Sequence, residues 1–130
     1  MRFFEPGPPA EFNLLPPLKR ELLLQWISRT MCPAVTVWKD ATSYRLKHVA
    51  EDDLGFYVSN GEFKGAMRTS GYEPADTWEQ NWLFRARPQR RYTGEFGAAR
   101  CKLTPSDRKA LANLIEMVRS SEAIERGGAA

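Results

Sequence analysis

The sequence predicts a mainly α fold with a small β-hairpin, arranged as one winged helix-turn-helix-like domain. Three observations point there. Within residues 42–71 two short amphipathic patterns flank Gly55-Phe56-Tyr57-Val58, which are the dimensions of a helix-turn-helix. Beyond them, Trp82-Leu83-Phe84-Arg85-Ala86-Arg87 reads as a strand, with Arg91-Tyr92-Thr93-Gly94-Glu95-Phe96 as its mate across Pro88-Gln89-Arg90, in the place of a wing. The chain has 130 residues, 42% of them hydrophobic and 27% charged, enough for one core and too few for two.

The elements follow in order. Pro6, Pro8, Pro9, Pro16 and Pro17 make residues 1–17 an extended, Pro-rich N-terminal segment. Residues 18–125 hold the domain, and 126–130, with Gly127-Gly128, a flexible tail. Leu18, Leu22, Trp26 and Ile27 recur at helical spacing between Leu18 and Met31, with Pro16-Pro17 as a rigid entry and Cys32-Pro33 as the stop. Val35-Thr36-Val37-Trp38 suits a short strand or an extended connector.

Thr42 or Ser43 caps the next helix, whose Leu46, Val49, Ala50 and Leu54 step by threes and fours until Gly55, a natural left-handed terminator. Ser59 and Glu62 form the S-x-x-E capping box of the second, with Val58 and Phe63 as a hydrophobic staple and Gly71 as the stop. Phe63, Ala66 and Met67 form its buried stripe, so Lys64, Gly65, Arg68 and Thr69 are expected outward. Thr104-Pro105-Ser106-Asp107 then opens a C-terminal helix through Leu111, Leu114, Ile115 and Val118 to about Glu125. Those four residues suit an intrachain core or a homodimer equally.

Charge is unevenly spread. Residues 42–84 carry four basic and seven acidic side chains, whereas residues 85–104 carry six basic and one acidic. The overall +3 is thus a local property of Arg85, Arg87, Arg90, Arg91, Arg100 and Lys102. Such a cluster suits phosphates, and Tyr92 and Phe96 among the arginines would suit base or sugar stacking. A solvated hairpin face or a surface for an acidic protein explains the same residues.

Ser43-Tyr44, Leu46-Lys47-His48, Glu51, Gly55, Tyr57-Val58-Ser59-Asn60-Gly61-Glu62-Phe63, Ala66-Met67 and Gly71-Tyr72 together resemble small proteins of unknown function from phages and mobile elements. With Asn81-Trp82-Leu83-Phe84-Arg85 added, the layout is similar to winged-helix domains appended to phage and plasmid replication primases. The chain has no primase or helicase motif and no Gly-rich GKS/T loop. The resemblance implies a detached winged-helix module, with DNA contact carried to Lys64, Arg68 and Thr69.

Other chemistry finds little footing. Cys32 and Cys101 lack metal-site spacing and read as free thiols, and His48 is the only histidine, so no metal and no cofactor are expected. Glu51-Asp52-Asp53 reads as a solvated face, because consecutive helical residues diverge. Ser43, Ser59 and Ser106 are explained by capping, and no nucleophile elbow surrounds any of them. No 18-residue apolar run or leader-like start is present, so a cytoplasmic, non-enzymatic protein without a membrane partner is expected.

Two functions remain. The first is duplex DNA binding, with Lys64, Arg68 and Thr69 at the groove and Arg85, Arg87, Arg90, Arg91, Arg100 and Lys102 on the backbone. The second is an anti-CRISPR-like phage or mobile-element protein that binds and inhibits a host protein complex such as a nuclease, with Trp78 and Trp82 as anchors. Gly61, in the first turn of its helix, could also allow close approach of a phosphate or another backbone.

Overall fold

A computed structural model describes residues 7–89 and 94–128. The fold is mainly helical, with one antiparallel two-stranded pair. Helix α1 spans Pro17–Thr30, strand β1 Met31–Pro33, helix α2 Ser43–Leu54, helix α3 Asn60–Thr69, strand β2 Ala86–Pro88 and helix α4 Pro105–Gly128. Short 3-10 helices at Pro9–Leu14 and Gly97–Arg100 complete it.

Local chemistry sets the helix ends. The Arg45 N–H donates to Thr42 Oγ1 at 3.2 Å to open α2, and Gly55 closes it at φ +82°. Glu62 N donates to Ser59 Oγ at 3.0 Å while Ser59 N donates to Glu62 Oε1 at 2.8 Å, which is the reciprocal capping box of α3. At its other end Tyr72 N donates to Met67 O and Gly71 N to Arg68 O, with Gly71 at φ +97°. This is the Schellman arrangement. Thr104 and Asp107 make a second reciprocal box at the start of α4, at 3.1 and 3.0 Å.

The core gathers Leu22, Leu23, Trp26 and Ile27 of α1, Leu46 and Ala50 of α2, and Phe63, Ala66 and Met67 of α3, with Phe84 and Cys101 closing it. At its centre lies Asp53. Its Oδ2 accepts from Trp26 Nε1 at 2.7 Å and from Leu103 N at 2.9 Å, while Arg108 pairs with its Oδ1. One carboxylate therefore joins α1, α2 and the entry to α4. The expected solvated acidic face is corrected accordingly: Asp53 is buried, and Glu51 is half-buried, accepting from Val58 N at 2.9 Å and pairing with His48 Nδ1 at 2.9 Å. Of the three acids, only Asp52 faces solvent.

Two other expectations change. The Pro-rich segment is not simply extended: residues 9–14 coil and lie across α3, burying Phe12 and Leu15. It can do so because α3 carries Gly61 and Gly65 one turn apart on that side. A Cβ at Gly65 would overlap Pro9 O and Phe12 Cβ, and one at Gly61 would overlap the Glu11 carboxylate and the backbone of Gly7 and Pro8. At the other end, the backbone of α4 continues to Gly128, into the stretch expected as tail.

The second change concerns the hairpin. Strand β2 pairs with β1, in the register Met31↔Pro88, Cys32↔Arg87 and Pro33↔Ala86, and of its expected mate, residues 91–96, Arg91, Tyr92 and Thr93 lie outside the described residues. The pairing continues loosely along the connector, where Ala34 N donates to Arg85 O and Trp38 N to Phe84 O. Gln89, expected in a turn, instead closes the end of α1. Its N–H donates to Thr30 O, and its Nε2 to Met31 O at 3.0 Å and Ser28 O at 3.3 Å. Satisfying those terminal carbonyls holds β2 against β1.

Candidate functional site

The strand bearing the arginines alternates cleanly. Phe84, Ala86 and Pro88 are buried and Arg85 and Arg87 are exposed, so both guanidinium groups leave the same face of the β1–β2 ribbon, a two-residue step of about 6.6 Å apart along the backbone. Among the described residues neither arginine enters an ion pair. Their charge is therefore available to a partner.

Alongside lies a second cationic feature. The bond from Trp38 N to Phe84 O carries Lys39 beside the strand that bears Arg85. Lys39, Asp40, Thr42, Arg45 and Phe96 line a depression of about 400 Å³, and Phe96 is 87% exposed. Gly97, at φ +59°, brings the Phe96 loop against Asp40. Lys39 and Arg45 were not among the expected contacts, because neither sits in a strongly basic segment and only the tertiary pairing brings Lys39 beside the strand that bears Arg85.

The remaining expected contacts are dispersed. Lys64 is corrected: it is 3% exposed, inside the protein, because the N-terminal segment covers this side of α3. Its Nζ lies over the Trp82 ring at 5.0 Å, and desolvation lowers its pKa below the usual lysine value despite the opposing charge of Glu11. Gly65 is likewise buried rather than outward. Arg68 is partly exposed, stacked over Trp82 at 4.9 Å and 3.6 Å from a Glu73 carboxylate oxygen. Thr69 is exposed on the last turn.

Arg100 is half-buried with its Nε enclosed and unbonded among the described residues, and Lys102 pairs with Glu95 at 2.7 Å. Arg90 and Arg91 lie outside the described residues. Of the two aromatic anchors, Trp82 is a core residue at 3% exposure whereas Trp78 stands 80% exposed.

The helix pair itself is held rigidly. Ser43 Oγ donates to Asn60 Oδ1 at 2.8 Å, Trp82 N donates to Ser43 Oγ at 2.9 Å, and Asn60 Nδ2 donates to Gln80 O and Asn81 Oδ1. This network pins the N-termini of α2 and α3 to residues 80–82. A helix so enclosed presents only its last turn to solvent. Groove-reading helices use their N-terminal residues, and on α3 those lie beneath the coiled segment.

Cys32 and Cys101 are free, and burial pushes the Cys101 thiol up to about 12. Among the described residues no cluster of three His, Cys, Asp or Glu could hold a metal ion, and no helix is long and apolar enough to cross a membrane. Comparison of the chain with protein-family models, with curated proteins and with solved structures finds no match.

Proposed function

We propose that the protein binds DNA through its phosphate backbone, as a helix-turn-helix protein in which the β1–β2 ribbon serves as the wing. The observation that carries this reading is the pair Arg85 and Arg87, exposed on one ribbon face with no neutralising partner among the described residues. Lys39 and Arg45 extend the cationic track, and the exposed Phe96 offers a ring to an unpaired base. In this reading α3 is a structural helix, and sequence-independent phosphate contact dominates affinity.

Fluorescence anisotropy with mixed-sequence duplex and single-stranded oligonucleotides tests it. Salt-sensitive binding that Arg85→Glu/Arg87→Glu abolishes is expected, with Phe96→Ala weakening the single strand more than the duplex. Absence of binding at low salt, or binding indifferent to the double charge reversal, would refute it and favour an acidic protein partner.

A further inference from the structure

Helix α4 carries two apolar stripes where the core uses one. Leu111 and Val118 are buried, with Ile115 half-buried beside them, and these face the body of the fold. A second stripe, Ala110, Leu114, Met117, Ser121 and Ile124, repeats at steps of four, three, four and three residues, the spacing of a coiled-coil seam. Leu114 is half-buried and the other four are exposed, Met117 by 53% and Ile124 by 72%. Asn113 and Ser120 flank the stripe on its open side, so an arc of about 120° of the helix surface bears no charged side chain between residues 110 and 124. Lys109, Glu116 and Arg119 lie outside that arc. A solvated helix normally carries charge on its open side, and depletion of charge marks a surface that meets another protein. Along the stripe, Leu18, Met117 and Ile124 border a depression of about 400 Å³, open to an incoming side chain.

The order of sizes and charges along the stripe says what covers it. Turned end for end about a two-fold axis at Met117, it complements itself: Ala110 meets Ile124, Leu114 meets Ser121, and Met117 meets its own copy. Small residues then oppose large ones on both sides of the axis. A parallel pairing would set Ala110 on Ala110 and Ser121 on Ser121, leaving gaps. The charges favour the same choice. Lys109, at the edge of the uncharged arc, comes beside the C-terminal turn of the other copy's α4, where unbonded carbonyls form the negative end of the helix dipole. Asn113 comes opposite Ser120, and Glu116, nearer the axis, is already paired with Arg119 at 3.8 Å.

We propose that the protein forms an antiparallel homodimer through this stripe of α4, with Met117 on the two-fold axis. The seam is about 21 Å long and belongs to the class of small interfaces that bury less than about 1,200 Å² in total. Association is therefore reversible and falls in the micromolar to millimolar range. The pairing uses no residue of the arginine ribbon and stands apart from the nucleic-acid reading.

Sedimentation equilibrium of the full chain from micromolar to millimolar concentration tests the dimer. The average mass is expected to rise toward twice the chain mass, and Met117→Asp, which sets like charges together on the axis, to weaken association at least about tenfold. Cysteine cross-linking under oxidised glutathione tests the register in a Cys32→Ser background, where the remaining Cys101 is buried. Met117→Cys is expected to link to itself, whereas Ala110→Cys and Ile124→Cys link only when the two variants are mixed, because identical ends lie about 21 Å apart. Cross-linking keeps the test valid should Met117→Asp fail to fold. A chain that stays monomeric at millimolar concentration would leave the face to a different protein and overturn the proposal. Association unchanged in Met117→Asp, or self-linking of Ala110→Cys, would overturn it as well.

Discussion

Helix α3 and the β1–β2 ribbon carry the same kinds of residue to opposite fates. Both present a basic side chain in alternation with apolar ones, yet Lys64 is enclosed while Arg85 and Arg87 are exposed. The difference lies in the number of neighbours each element accepts. A helix has a full circumference, and α3 meets α1 and α2 on one side and the coiled Pro9–Leu14 segment on another, where Gly61 and Gly65 leave room for backbone. A two-stranded ribbon has two faces, and burying Phe84, Ala86 and Pro88 leaves the other free. Amphipathic spacing identifies a buried stripe but does not guarantee that the opposite side is open.

This contrast can be broken by substitution, and the largest effect belongs to the packed half. Asp53→Ala leaves Trp26 Nε1 and Leu103 N buried without an acceptor, and a loss of about 3 kcal/mol is expected in urea unfolding. A change under about 0.5 kcal/mol, the range of ordinary surface substitutions, would remove Asp53 from the centre of the fold. Gly65→Ala comes next. Its methyl group meets Pro9 and Phe12, and the overpacking is expected to cost about 1–3 kcal/mol against a helix-propensity gain of about 1 kcal/mol. The opposite result, a stabilised protein, would mean that the N-terminal segment does not lie on α3.

The smallest effect is a pH dependence. Lys64 titrates below its unfolded value of 10.5, so between the folded and unfolded pKa values the unfolded chain binds more protons, and this group's contribution to stability rises with pH. Lys64→Met removes the titration. The stability of the native chain relative to that variant is therefore expected to improve as pH is raised from 7 toward 10.5. A constant difference across that window would show that the ammonium is not desolvated.

Local signals were legible in the sequence and distant ones were not. Thr42, Ser59 with Glu62, Gly71, and Thr104 with Asp107 all act within a few residues of themselves, and each sets the helix end that its pattern predicts. Asp53 gave no local sign of burial, because its partners Trp26 and Arg108 lie 27 and 55 residues away. The strand expected over Trp82 to Arg87 overlaps β2 at Ala86 and Arg87, but its mate Met31–Pro33 precedes it by more than fifty residues, and Gln89 closes α1 by contacts of equally long range. Gly61 was legible as a place for close approach of another backbone, which Gly7 and Pro8 make, whereas Gly65, one turn on, was expected outward and instead meets Pro9 and Phe12. For the site, the arginine excess was visible as charge, whereas the exposure of Arg85 and Arg87 and the proximity of Lys39 depend on pairing across the fold.

The most direct measurement is the slope of log affinity against log salt for duplex DNA, compared between the native chain, Arg85→Ala/Arg87→Ala and Arg68→Ala/Thr69→Ala. Each phosphate contact contributes about 0.9 to the slope on duplex DNA. The ribbon variant is expected to lose about 2 units of slope by that rule, and the α3 variant to retain the native slope and affinity. A full loss in the α3 variant with an unchanged ribbon variant would return recognition to the helix and contradict the account.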